Sequence, residues 1–146
     1  MIILTQLRAL PLAVLCFSAF MISAECHDDK KSVYDVLESF NFPKGILPAN
    51  AKEYFLHADG NFQVLLDGLC NIKIEEKGYQ IRYEKKVMGN ISAGSLKHLK
   101  GVRVKVSFVW LDVSAVKLSK GKLKFYVGPF SAAFDASGFD DTPICE

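Results

Sequence analysis

From Glu53 onward, apolar residues recur at every second position, and no other feature of the chain restricts its fold so strongly. Phe62, Val64 and Leu66 alternate with Gln63, Leu65 and Asp67. Ile72 and Ile74 alternate with Lys73 and Glu75, and Tyr79, Ile81 and Tyr83 with Gln80, Arg82 and Glu84. The longest run is Val102, Val104, Val106, Phe108 and Trp110, with Arg103, Lys105 and Ser107 between them. Leu123, Phe125 and Val127 alternate with Lys122, Lys124 and Tyr126. Successive side chains of a strand point to opposite faces, so each run predicts a strand with one dry and one wet face. Turn residues fall between the runs: Asp59-Gly60-Asn61 folds the chain back from Tyr54-Phe55-Leu56, and Lys77-Gly78 and Lys120-Gly121 supply further turns. The expected fold is mainly β, a single antiparallel β-barrel or sandwich. No long helical pattern separates the strands, which argues against a βαβ design.

One short helix precedes them. Val33, Val36, Leu37 and Phe40 lie at i, i+3, i+4 and i+7, an apolar stripe over residues 32–40. Ser32 is placed to cap its first turn, with Asp35 completing a variant of the capping box. Pro43 and Gly45 end the helix, and Pro48 keeps the next segment extended. The tail, residues 129–146, carries Phe130, Phe134 and Phe139 without a clear period and reads as irregular chain across a sheet edge.

The beginning of the chain has another character. Arg8 is the sole charge before Glu25, residues 9–22 form an apolar stretch of 14 broken only by Pro11 and Ser18, and Ser23-Ala24 follow. A basic start, an apolar middle and small residues at the end describe a secretory signal. The stretch falls short of the roughly 20 residues a membrane helix needs. Residues 1–24 are therefore read as a cleaved signal peptide, residues 25–31 as a polar tail and residues 32–146 as one β-rich domain, secreted to the extracellular (wall) space with no span left after cleavage. Loss of Arg8 takes the formal net charge of +2 down to +1.

Cleavage also removes Cys16 and leaves Cys26, Cys70 and Cys145, an odd number in an oxidising compartment. Cys70 sits in a strand-like run and Cys145 near the chain end, so a bridge between them would pin the C-terminus to the sheet. It would contribute roughly 4 kcal/mol by the loop-entropy model. Cys26, in a polar tail, is free or paired with another chain; the competing reading leaves all three reduced. Asn90-Ile91-Ser92 is an N-glycosylation sequon, expected in a turn after Gly89.

Tests for catalytic chemistry return little. The nearest approach to a G-x-S-x-G elbow, Gly89-Asn90-Ile91-Ser92-Ala93-Gly94, has one residue too many before the serine. His27, His57 and His98 show no metal-ligand spacing beyond Cys26-His27-Asp28-Asp29 in the polar tail, so no metal and no cofactor is expected. The adjacent acids Glu75-Glu76 point to opposite faces of a strand and are poorly placed to share a proton.

Charge and aromatic content are more informative. Residues 77–124 hold 12 basic side chains against Glu84 and Asp112, whereas both flanking segments are acidic. Lys86, Arg103, Lys105, Lys122 and Lys124 are candidates for a basic sheet face that attracts anionic lipid or acidic polysaccharide. Pairing of oppositely charged strands within the fold is the competing reading. Nucleic acid is an unsuitable partner at so small a net charge. If the sheet closes as a barrel, Phe62, Ile81, Phe108, Trp110 and Phe125 are candidates to line an apolar ligand cavity, the alternative being plain core packing.

Val33-Tyr34-Asp35-Val36-Leu37, then Phe42-Pro43-Lys44-Gly45-Ile46-Leu47-Pro48, the Phe62 strand to Cys70, the Trp110 strand and the closing Phe139-Asp140-Asp141-Thr142-Pro143-Ile144-Cys145 resemble the plant family catalogued as domain of unknown function 538. The resemblance implies a barrel-like single domain behind a signal peptide and no established activity, lipid binding and hydrolysis being conjectures for the family. Three functions follow as expectations. The first is a secreted non-enzymatic binding module for a lipid-like small molecule. The second is a binder of acidic wall polysaccharide or anionic membrane, and the third an ester or glycan hydrolase.

Overall fold

A computed structural model describes residues 31–74 and 78–146 of the chain. Residues 1–24, read above as a signal peptide, Cys26, the rest of the polar stretch up to residue 30, the Glu75-Glu76 pair and Lys77 lie outside the described residues.

Helix α1, Val33–Ser39, starts where the capping residues place it. The Asp35 amide donates to Ser32 Oγ at 3.1 Å, and the Ser32 amide donates to the Asp35 carboxylate at 3.3 Å. Two amides that have no partner inside the helix are thereby satisfied. Asn41 takes a left-handed backbone, φ 72°, and a 3-10 turn over Lys44–Ile46 follows.

Eight strands come next: β1 Ala51–Leu56, β2 Asn61–Leu66, β3 Cys70–Ile74, β4 Tyr79–Ser92, β5 Ser95–Val106, β6 Val109–Ser119, β7 Lys122–Val127 and β8 Phe130–Asp135. They form one antiparallel sheet in the order β1-β2-β4-β5-β6-β7-β8, with β3 also on β4. Strands β2 and β3 lie end to end along the same edge of β4, β2 against residues 86–90 and β3 against residues 79–83. The sheet is thus a meander, with β2 and β3 sharing one lane.

What makes it curl is a mismatch in strand length. Between Tyr83↔Val102 and Met88↔Lys100, β4 advances five residues while β5 advances two. Between Leu96↔Val116 and Arg103↔Asp112, β5 advances seven while β6 advances four. Extra residues on one strand bend it and increase the local twist. Gly101 sits at the bend with φ 100°, and a Cβ there would come within 2.4 Å of the Lys86 carbonyl oxygen. Only glycine allows that contact.

Three sequence expectations need correction. The alternation from Val102 to Trp110 is two strands, β5 and β6, joined by the two-residue turn Ser107-Phe108, with φ 59° at Ser107 and Val106 opposite Val109. Residue i then pairs with i+3, so the inward parity changes from even to odd, and Leu111 rather than Trp110 joins Val104. The tail is not wholly irregular: Phe130–Asp135 is an edge strand paired with β7, its period disguised by Ala132 and Ala133. The sequon lies within β4, not in a turn, with Asn90 opposite both Asn61 and Lys97.

Among the described residues, Phe42, Leu66, Leu123, Pro48 and Cys70 are the largest fully buried side chains. Cys70 is bridged to Cys145 across 75 residues of sequence. Backbone hydrogen bonds lace the same tail down, from the Ala49 amide to Pro143 O at 2.9 Å and from the Glu146 amide to Asn71 O at 3.0 Å. At Gly45 the tail passes so close that a Cβ would lie 2.2 Å from Phe139 O and 2.5 Å from Asp141 O. Substituting Gly45→Ala therefore forces two backbones apart and should lower stability by about 1–3 kcal/mol in urea unfolding. Gly138→Ala, in the same tail with nothing within 4 Å, should stay within about 0.5 kcal/mol of wild type. Cys145→Ser should cost roughly 4 kcal/mol in the same assay by releasing the long loop.

Candidate functional site

The curled sheet wraps around a partly open cavity of about 340 Å³. Its walls come from α1 (Val33, Val36, Leu37), the Ile46 turn, the inward positions of every strand and Phe139. Valines and isoleucines are the commonest, and among the described residues none that lines it is charged. These are the dry faces of the alternating runs, so the period-two pattern that builds the sheet also builds the wall. Their modest volume leaves the middle unfilled.

The polar atoms of the wall are few, and the most deeply buried of them is occupied with structure. Tyr83 is buried, and its hydroxyl donates to the Ile46 carbonyl at 2.8 Å, tying β4 to the 3-10 turn. Burial pushes its pKa well above the ordinary tyrosine value, so the hydroxyl stays neutral. Near the helix, the Tyr34 hydroxyl donates to the Pro48 carbonyl, and burial raises its pKa against a smaller lowering by the Ala51 backbone. The interior therefore offers hydrocarbon and neutral hydroxyls.

Of the five residues nominated as lining, Phe62, Ile81 and Phe125 reach the cavity and Phe108 and Trp110 do not. Phe108 is at the tip of the β5–β6 hairpin, 91% exposed. Trp110 is on the outer face opposite Lys105, with the Arg82 guanidinium 4.2 Å from its ring centre and Lys105 Nζ at 5.9 Å. Phe134 and Phe139, missed as wall residues, pack on Phe125 with ring centres 5.7 Å away in each case. The alternation Phe130, Ala132, Phe134 was the signal for the first; the second lies in a 3-10 turn with no period to betray it.

A model of the family described as protein of unknown function, DUF538, matches residues 33–140. The chain belongs to this family. No curated protein matches the sequence. The matched span takes in α1, Gly45 and all eight strands, so the cavity is built entirely within the DUF538 domain.

The basic candidates on the DUF538 domain do not make one continuous face. Arg103 is paired with Asp112 at 3.2 Å and Lys122 with Asp135 at 2.8 Å. Lys105 shares Trp110 with Arg82, while Lys124 and Lys117 sit 5.4 and 5.6 Å from the Tyr126 ring. Lys86 is exposed on the other half of β4, opposite Leu65. Two cation–aromatic groups, on Trp110 and on Tyr126, replace the uniform surface.

Asn90 has a structural task, since its side-chain nitrogen donates to Asp59 O at 3.1 Å and to Asn61 Oδ1 at 3.0 Å, bracing the β1–β2 turn. Ser92 ends β4 at an exposed hairpin, a setting unlike a strand-to-helix elbow. Among the described residues no three of His, Cys, Asp or Glu stand close enough to hold a metal ion, and no helix is long and apolar enough to cross a membrane.

The raised tyrosine pKa values set a pH dependence. Above the ordinary tyrosine value of 10.0 the unfolded chain releases protons that folded Tyr83 and Tyr34 still hold. Their contribution is intact below about pH 10 and is lost as pH rises further. The urea midpoint should accordingly fall on the alkaline side of that value. Tyr83→Phe should flatten the fall while costing about 1–3 kcal/mol at neutral pH, because the Ile46 carbonyl loses its donor.

Proposed function

We propose that this DUF538 protein is a secreted, non-enzymatic binding module that holds an apolar or amphipathic, lipid-like molecule inside its curled sheet. One observation carries the reading: an interior space of about 340 Å³ whose walls, among the described residues, are mainly apolar and carry no charge. That size falls at the lower end of the range usual for small-molecule sites. Hydrocarbon walls that face an unfilled space forgo packing contacts, which costs the folded state stability. An apolar occupant offsets that cost without needing a polar partner, whereas water there would find few groups to bond.

The secretory signal read on residues 1–24 and the Cys70–Cys145 bridge both suit an oxidising, extracellular setting. In that setting the sequon is a candidate glycan acceptor, although a glycan on Asn90 would take away one of the two N–H groups that hold the β1–β2 turn. Binding of an acidic polysaccharide is the second reading, favoured by Lys117 and Lys124 around Tyr126. It ranks lower because Arg103 and Lys122 already spend charge on Asp112 and Asp135.

Uptake of a fluorescent polyene fatty acid tests the leading reading. The purified protein should bind the probe, and Val104→Phe, which enlarges a wall residue, should weaken binding at least about tenfold with the fold retained. Native mass spectra showing bare protein only, together with no uptake of the probe, would exclude it. Retention on a pectate column that disappears at high salt would instead favour the polysaccharide reading.

A further inference from the structure

In an antiparallel meander, alternate hairpins fall at the same end of the sheet. The β3–β4, β5–β6 and β7–β8 connections therefore share one end and the β1–β2, β4–β5 and β6–β7 connections the other. The two ends differ in chemistry. The second set turns on His57-Ala58-Asp59-Gly60, Ala93-Gly94 and Lys120-Gly121, polar or small residues suited to a wet surface. The first set carries Phe108, 91% exposed, Val109, 56% exposed, and Phe130, 63% exposed. A two-residue hairpin normally takes Asn, Asp or Gly, so a phenylalanine at its tip is not there for the turn.

The β5–β6 hairpin also projects. Val127 is opposite Val113, four residues inward of Val109, so the tip bearing Phe108 extends beyond the β7–β8 hairpin. Immediately behind the tip, register aligns Lys73, Gln80, Lys105 and Trp110 in one row across four strands. Arg82 lies over the same tryptophan. Among the described residues of this end, Lys73, Arg82, Arg103 and Lys105 stand against Asp112 in the paired strands, a positive balance. The cavity reaches the same end, because Ile74, Tyr79, Val106 and Phe130 all belong to its wall.

We infer that this end is a membrane-docking surface. Phe108 and Val109 enter the headgroup region of an anionic bilayer, and the Lys73–Lys105–Trp110 row rests against the phosphates. Apolar residues at the outermost point, with a tryptophan and cations one step behind, match the demands of an interface that is apolar below and negatively charged above. The inference goes beyond the binding-module reading, since it stands whatever the cavity holds and its test involves no transfer of ligand.

The test is co-sedimentation of the purified protein with vesicles of phosphatidylcholine containing phosphatidylserine, at low and high salt. Trp110, the single tryptophan, supplies a second readout, because its emission should shift to the blue on docking. Phe108→Ser should reduce partitioning at least about tenfold, and Lys73→Gln with Lys105→Gln should weaken it and shrink its salt dependence. Ile144→Ser, at another highly exposed apolar residue, in the C-terminal tail, should leave binding unchanged. Absence of sedimentation at low salt, or sedimentation that Phe108→Ser does not alter, overturns the inference. So does a dimer that Phe108→Ser dissociates in a protein that ignores vesicles, since the tip would then serve a second copy of the chain. Circular dichroism of each variant distinguishes loss of docking from loss of fold.

Discussion

The close approach of Gly101 to the carbonyl of Lys86 is the contact on which the architecture turns. Two long strands of unequal residue count cannot stay paired along their whole length unless one of them bends, and here β4 and then β5 carry the excess. The bend requires a residue that accepts φ 100° and has no Cβ to meet the neighbouring backbone. Once it is in place, the dry faces of β2, β4, β5, β6 and β7 look toward one another across a common interior. A flatter sheet with the same alternation would have exposed that face or required a second layer to cover it.

Curling alone leaves the first and last strands without a shared ladder, and the remainder of the chain deals with the gap. Helix α1 contributes an apolar stripe to the interior, and the 3-10 turn behind it is held by the Tyr83 hydroxyl on Ile46. The C-terminal tail crosses Gly45, accepts from Ala49 through Pro143 and ends bonded to Cys70 and Asn71. Segments far apart in sequence thus converge on one seam. Backbone contact and a covalent link do there what a closed ladder does in a complete barrel.

How much of this was legible in the sequence follows from the range of each signal. Period-two patterning, the Ser32–Asp35 cap and the Asp59-Gly60 turn are local, and each appears where the residues place it. The hairpin at Ser107-Phe108 was hidden because Val102 to Trp110 alternates without interruption, and only pairing of Val106 with Val109 shows that the parity reverses. The first half of β5 was masked by His98, at φ 53°, and by Gly101, which disturb the period at the very positions that bend the strand. The family resemblance stated from Val33 to Cys145 agrees with the match over residues 33–140. For the cavity, Phe62, Ile81 and Phe125 were accessible to pattern reading because their strands are regular. Phe139 belongs to the wall through tertiary placement alone.

A hollow interior and a firmly laced seam are physically linked. Wall residues of valine and isoleucine size forgo contacts that larger side chains would make across the middle, and the lost packing weakens the folded state. The Cys70–Cys145 bridge acts on the unfolded chain and occupies none of the interior, so it restores stability without filling the space. The same holds for the capping box and for the outward stacking of Arg82 and Lys105 on Trp110, which add stability at the surface. Stabilising features are thus found at the seam, at the helix start and on the convex face, while the concave face stays apolar and uncharged. That division fits an interior maintained for an occupant: a domain selected for stability alone would have met the same need more simply, with larger side chains at Val104 or Val116.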